Sequence, residues 1–242
     1  MPASSTRPPV AQDWAGFRAE LDALQLDFIA QTLTRGPDHI GSLREQVLRV
    51  AEMKPVLINS HSAADSMPLD EQYRFFEEAL ELEQRVGIRI AHESHRGRAL
   101  FTPWHTAALL RRYPALNLGA DFSHWCVACE RMPSLDDPDM QLSIARAIHI
   151  HGRVGYEEGP QVPDPRAPEY ARHTELFLQI WLAIALARQQ SGATVMTFTP
   201  EFGPPPYLQQ RPFTGEPAAD LWEVNLWMFE TFKAQYDERF AW

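Results

Sequence analysis

Apolar and polar positions alternate along this chain between two rhythms, short apolar runs and longer stretches with apolar residues at helical spacing. Trp14 to Leu24 carries Phe17, Leu21 and Leu24 at helical intervals, whereas Leu26 to Thr32 alternates and holds Phe28 and Ile29, which predicts a strand. Ile40 to Met53 is again amphipathic (Leu43, Val47, Val50), and Val56 to Asn59 is a short apolar run leading into Ser60-His61. Pro68 opens a helix to about Val86 with Phe75, Ala79, Leu82 and Val86 on one face, and Gly87 ends it. Ile88 to Ala91 predicts a strand ending in His92-Glu93-Ser94-His95-Arg96. Thr102-Pro103 caps a helix to Arg112, and Leu116 to Ala120 is a strand, opening into a loop at Asp121-Phe122-Ser123-His124-Trp125. A short helix over Asp139–Arg146 precedes a strand at Ala147–His151, and a Pro-rich loop spans Gly152 to Pro168. Glu169 to Gln190 is a long helix with a nearly all-apolar middle, Thr194 to Thr199 a strand ending in Pro200-Glu201, and Pro217 to about Ala241 a closing helix. Residues 1–11 are Pro/Ser-rich and read as irregular. Alternation of strand and helix with short connections predicts a parallel α/β fold in one domain over residues 1–242, with six strands near 26–32, 56–60, 88–92, 116–121, 147–151 and 194–199.

Composition narrows the function classes. A length of 242 residues suits one (β/α) barrel, and 45% apolar residues are enough for a sizeable core. The formal net charge of −10 argues against a nucleic-acid partner, which needs a basic surface to release counterions. The lysines are Lys54 and Lys233, neither at a predicted strand end, so Schiff-base chemistry is disfavoured. Cys126 and Cys129 form a lone C-x-x-C, better read as small helix residues than as a redox or zinc site. With no secretory pattern at Met1–Pro9, and with the apolar run Leu176–Ala187 too short to span a bilayer, a cytoplasmic protein without a membrane partner is expected.

Five of the six predicted strands end in a residue able to bind metal or move protons: His61, Glu93, Asp121, His151 and Glu201. In parallel α/β folds these C-terminal ends open onto one face. Carboxylates and imidazoles without thiolates suit a hard or borderline divalent cation, Mn²⁺, Mg²⁺, Co²⁺ or Zn²⁺. Residues two apart in a strand share a face, so His149 lies a layer deeper than His151, and His92 faces away from Glu93. Each residue also has a plainer reading: a surface acid for Glu93, an ion pair with a loop arginine for Asp121 or Glu201, a core histidine for His151. His61 fits a polar turn equally, and His124 an ordinary surface histidine.

Glu93 after its strand, Asp121-Phe122-Ser123-His124, Ile148-His149-Ile150-His151 and Pro200-Glu201-Phe202-Gly203 resemble the metal-binding strand ends of xylose-isomerase-like TIM barrels, closest to the sugar phosphate isomerase/epimerase group. The resemblance implies that Glu93, Asp121, His151 and Glu201 hold one divalent ion. The two glutamates would move protons at the carbon next to a carbonyl, which the ion polarises. It also implies substrate-facing roles for His61 and His124, and Trp125, His149, Arg96 and Arg153 are taken as further candidates for substrate binding. The implied enzyme is a metal-dependent isomerase, epimerase or dehydratase acting on a sugar, polyol or hydroxy-keto acid, and a homo-oligomer such as a dimer is expected as its assembly. A non-catalytic barrel subunit is the alternative, followed by an apurinic endonuclease. Two departures stand out: Ala99 replaces an acid found in ketose 3-epimerases, and Glu157 replaces an arginine. The arginines stand instead at Arg96, Arg98 and Arg153, which suggests an acidic or phosphorylated substrate gripped by Arg96 and Arg153. Aligned to the group, Leu26–Thr32 becomes the third barrel strand, so the TIM-type barrel is expected to be incomplete, its first two strands missing or vestigial within residues 1–11. The sheet edges thus left open would be covered by a partner or an extension.

Overall fold

The computed structural model of the chain describes residues 3–6 and 14–240. It falls into two compact units, Met1–Gly119 and Ala120–Trp242. In the first, β1 (Ala3–Thr6), α1 (Trp14–Ala23), β2 (Asp27–Leu33), α2 (His39–Ala51), β3 (Leu57–His61), α3 (Leu69–Val86), β4 (Ile90–Glu93), α4 (Pro103–Arg112) and β5 (Asn117–Ala120) follow one another, the last residue of β5 opening the second unit. Each strand pairs in parallel with the next, with Ala3 opposite Asp27, Ile29 opposite Leu57, Ile58 opposite Ile90 and Ala91 opposite Asn117. Phe28, Ile29, Ala30, Leu57, Ile58, Ile90 and Ala91 are all buried, as expected for parallel strands covered on both faces.

The helices of this unit begin and end where local chemistry dictates. The Asp38 side chain accepts from the Gly41 amide at the start of α2, and the Thr102 hydroxyl accepts from the His105 amide ahead of Pro103 at the start of α4. Gly87 closes α3 at φ 68°, a left-handed conformation that glycine adopts at little cost. The buried stripe of α3 is Phe75, Phe76, Ala79 and Leu82, and covering a phenylalanine or leucine side chain contributes about 1.5–3 kcal/mol.

The second unit contains α5 (Ser123–Cys129), α6 (Pro138–Arg146), β6 (Ala147–Gly152), a 3-10 turn at Pro168–Tyr170, α7 (Ala171–Gln190), β7 (Phe198–Pro200) and α8 (Leu221–Arg239). β6 and β7 are parallel, with Ile150 opposite Phe198 and His151 opposite Thr199. The apolar middle of α7 is core: Phe177, Ile180, Trp181, Ile184 and Ala185 are buried. Phe198 of β7 stacks on Phe232 of α8 at 4.3 Å, with Trp181 edge-on at 5.2 Å.

Four expectations are corrected. Ala3–Thr6 is a strand, held by the neighbouring β2 ladder, and the rest of residues 1–11 lies outside the described residues. The segment after Asp121, expected as a loop, is the short helix α5. β7 spans three residues rather than the expected 194–199, because the α7 C-terminus closes as far as Ala193, whose amide bonds Arg188 O. Finally, α8 begins at Leu221 rather than Pro217, since Asp220 caps it by accepting from the Glu223 amide.

Candidate active site

In the first unit the site residues stand at the ends of β3 and β4. Asn59 and His61 share one face of β3, and Ala91 and Glu93 share the corresponding face of β4. Asn59 Nδ2 donates to Glu93 Oε2 at 2.5 Å, and His61 Nε2 lies 2.9 Å from the same oxygen. Glu93 is 1% exposed. Asn59 reaches across only because β5 offers Gly119, where a Cβ would stand 2.3 Å from Asn59 Oδ1. On the opposite face, as parity predicts, His92 meets Ser62 Oγ at 2.6 Å and the edge of Phe76. Burial drives the His92 pKa down to about 3, so this imidazole is neutral and structural.

His95 follows Glu93 by two residues and approaches His61, ring centroids 4.7 Å apart. Arg96, expected to face substrate, is exposed. Arg98 is half-buried, and its Nη1 donates to the carbonyls of Thr34 and Ala63 at 3.0 Å each. His61, Glu93 and His95 each present one potential ligand atom, all within 4.8 Å of one another.

In the second unit an arginine links the acids. Arg153, 4% exposed, lies 2.6 Å from Glu201 Oε1 through Nη2 and 3.5 Å from Asp121 Oδ2 through Nε. His151 Nδ1 stands 2.5 Å from Glu201 Oε2. Ser123 Oγ donates to Asp121 Oδ1, and His124 Nε2 lies 3.3 Å from Asp121 Oδ2. His124 is thus not in an open loop; the first turn of α5 brings it back over Asp121, fully buried. Tyr207 roofs this group, with the Arg153 guanidinium 4.5 Å above its ring and His124 edge-on at 6.2 Å. His149 is buried one layer below His151, its Nδ1 2.9 Å from Thr197 Oγ1. Trp125 is buried and stacks on Phe122 at 4.3 Å.

Two further positions bear on the chemistry. Glu157 sits 3.0 Å from both His173 and Arg172, and the His173 contact holds its carboxyl below the ordinary range. Burial pushes the Cys126 thiol up, so the C-x-x-C supplies no reactive thiolate. Asn59, Ser123, His95 and Tyr207 were not anticipated as site residues. Asn59 and His95 had a parity signal, two residues from His61 and Glu93, whereas Tyr207 had none. The donor set present in each unit, carboxylates and imidazoles without thiolates, fits a hard or borderline divalent ion.

No family model matches the chain, and no curated protein matches it. Solved structures do. A xylose isomerase-like TIM barrel protein from Mycobacterium smegmatis, in complex with magnesium, is 12% identical over 96% of this chain and 84% of that one, with TM-score 0.59. A probable 3-DHS dehydratase involved in petrobactin synthesis from Bacillus anthracis is 14% identical, covering 92% and 83%, with TM-score 0.55. A 3-keto-D-glucoside 4-epimerase from E. coli is 10% identical, covering 92% and 85%, with TM-score 0.54. At such identities the likeness speaks for the fold. With seven strands among the described residues, the chain has the fold of an incomplete xylose isomerase-like TIM barrel.

Proposed function

We propose that this protein is a metal-dependent isomerase, epimerase or dehydratase acting on a sugar, polyol or hydroxy-keto acid. Residues 1–242 are read as a single barrel domain, and Glu93, Asp121, His151 and Glu201 as the ligands of one divalent ion. The observation that carries the reading is the linked group at the ends of β6 and β7, where His151, Arg153 and Glu201 converge with Asp121 in buried surroundings. Further support comes from neighbours of the same fold that include a dehydratase, an epimerase and a magnesium complex.

A divalent ion bound there would polarise a substrate carbonyl and favour loss of the proton on the adjacent carbon. The chain's own residues supply the remainder. Glu201 is oriented by Arg153 on one oxygen and His151 on the other, which aims its carboxylate as a proton acceptor. Glu93, oriented by Asn59, is read as the partner that returns a proton to the substrate. Return to the same carbon on the opposite face gives epimerisation, return to the neighbouring carbon gives isomerisation, and departure of a β-hydroxyl gives dehydration. His124, against Asp121, is read as a donor to a substrate hydroxyl. The Arg153 guanidinium, already shared with two carboxylates, is read as the anchor for an anionic substrate group. Arg96, His61, Trp125 and His149 complete the proposed substrate set, the last two by supporting the contact residues from the core.

Metal content tests the reading. Protein stripped with chelator and reloaded with Mn²⁺ should bind a stoichiometric ion that Glu201→Gln loses. A pure protein with no affinity for divalent ions would favour a non-catalytic barrel subunit instead.

A further inference from the structure

The group at the ends of β3 and β4 contains more than the proposed function uses. We propose that His61, His95 and Glu93 form a second divalent-cation site, for a borderline transition ion of the Zn²⁺ or Co²⁺ class. This site rests on the proposed function in that it gives Glu93 a second ion, yet its histidines lie outside that ligand set.

Strand register brings the first two ligands together. Ser60 pairs with His92, so the next residues, His61 and Glu93, end their strands at one level. His61 Nε2 is 2.9 Å from Glu93 Oε2, and the three candidate ligand atoms fall within 4.8 Å of one another. Two ligands each about 2.0–2.2 Å from a shared ion stand up to about 4.4 Å apart, so small side-chain rotations suffice. The His61 and His95 rings stand with their centroids 4.7 Å apart and tilted by 43°, close enough for both imidazoles to reach one ion.

The surroundings orient the ligands as metal sites require. His95 Nδ1 donates to the carbonyl of Arg96, which selects the tautomer that presents Nε2 as a lone pair. Metal-bound histidines commonly spend their other ring nitrogen in this way. Asn59 Nδ2 donates to Glu93 Oε2, the oxygen that His61 also approaches, and so fixes the carboxylate. Two imidazoles and one carboxylate form a donor set that binds borderline ions through three positions and leaves others for water or a substrate oxygen. The competing account of the same geometry is a direct His61–Glu93 pair with no ion.

The test is Co²⁺ titration of the chelator-stripped full chain, read by calorimetry and by the visible absorption of bound cobalt. The expected result is two equivalents for the wild type. His95→Gln and His61→Gln should each lose one equivalent and keep the other, whereas Asp121→Asn should lose the other and keep this one. Thermal melts of each variant establish that it is folded. One equivalent, lost in Asp121→Asn and retained at wild-type affinity in both histidine variants, would overturn the second site and leave the proposed function standing. One equivalent lost only in the histidine variants would uphold the second site and remove the ligand set of the proposed function. No bound cobalt in folded wild-type protein would overturn both.

Discussion

Gly152 separates His151 from Arg153, and its lack of a side chain holds that pair in place. A Cβ at this position would lie 2.1 Å from Cζ and 2.8 Å from both Cε atoms of Phe198. Carbon atoms in contact prefer roughly 3.5–4.0 Å, so the ring would have to retreat by about 1.4 Å or more. It has little room, being stacked on Phe232 at 4.3 Å and met edge-on by Trp181 at 5.2 Å. Overpacking of this kind costs about 1–3 kcal/mol. For a chain of this size each kcal/mol moves the melting temperature by about 2–4 °C, so Gly152→Ala should melt about 2–12 °C below the wild type. Because the strain falls between His151 and Arg153, divalent-ion affinity should weaken as well. Differential scanning fluorimetry and urea unfolding measure the first effect, and calorimetry the second. Adding Phe198→Leu makes space for the new methyl group, so the double variant should lose less stability than the two single changes summed, by at least about 0.5 kcal/mol. A Gly152→Ala protein that melts within about 1 °C of the wild type would refute the packing argument.

Asp121→Asn should remove the ion proposed for Asp121, His151 and Glu201, whereas His124→Ala should keep it and lower kcat; equal metal loss in both would contradict the division of roles. Arg153→Ala should raise KM strongly for an anionic substrate and little for a neutral one, and equal effects in steady-state assays would remove the anion anchor. His92 makes stability pH-dependent. Its pKa is held at about 3 in the folded chain against the ordinary 6.5 of a solvated imidazole, so below pH 6.5 the unfolded chain takes up a proton that the folded chain refuses. Stability should therefore fall toward pH 3 by up to about 1.4 kcal/mol per pH unit from this group alone. His92→Gln should flatten that limb in urea titrations between pH 7 and 5, and an unchanged slope would show that another group carries it.

Much of the fold was legible because parallel strands write themselves plainly. The buried runs at Phe28–Ala30, Leu57–Ile58 and Ile148–Ile150 lie under cover on both faces, and the capped helices between them leave few alternatives. The Ile-His-Ile-His alternation also fixed which histidines share a face, and the observed His149–His151 ring contact agrees. What stayed hidden depends on partners distant in sequence. β1 has four residues without an apolar pattern of their own and exists through its pairing with β2. α5 is seven residues long, too short for periodicity to register, so the return of His124 over Asp121 could not be foreseen. The Tyr207 roof and the pairing of Glu157 with His173 and Arg172 join segments whose spacing carries no signal.

The central claim is that Glu93 and Glu201 move a proton at the carbon next to a carbonyl, with a divalent ion in support. Solvent-exchange NMR in D₂O tests it most directly, with Mn²⁺-loaded protein freed of excess metal before acquisition and a panel of ketoses and hydroxy-keto acids. Deuterium should enter at the carbon adjacent to the carbonyl of at least one member, and Glu93→Gln and Glu201→Gln should each abolish that exchange while remaining folded. Exchange that persists unchanged in both variants, or a metal-loaded wild type that exchanges no member of the panel, would contradict the account.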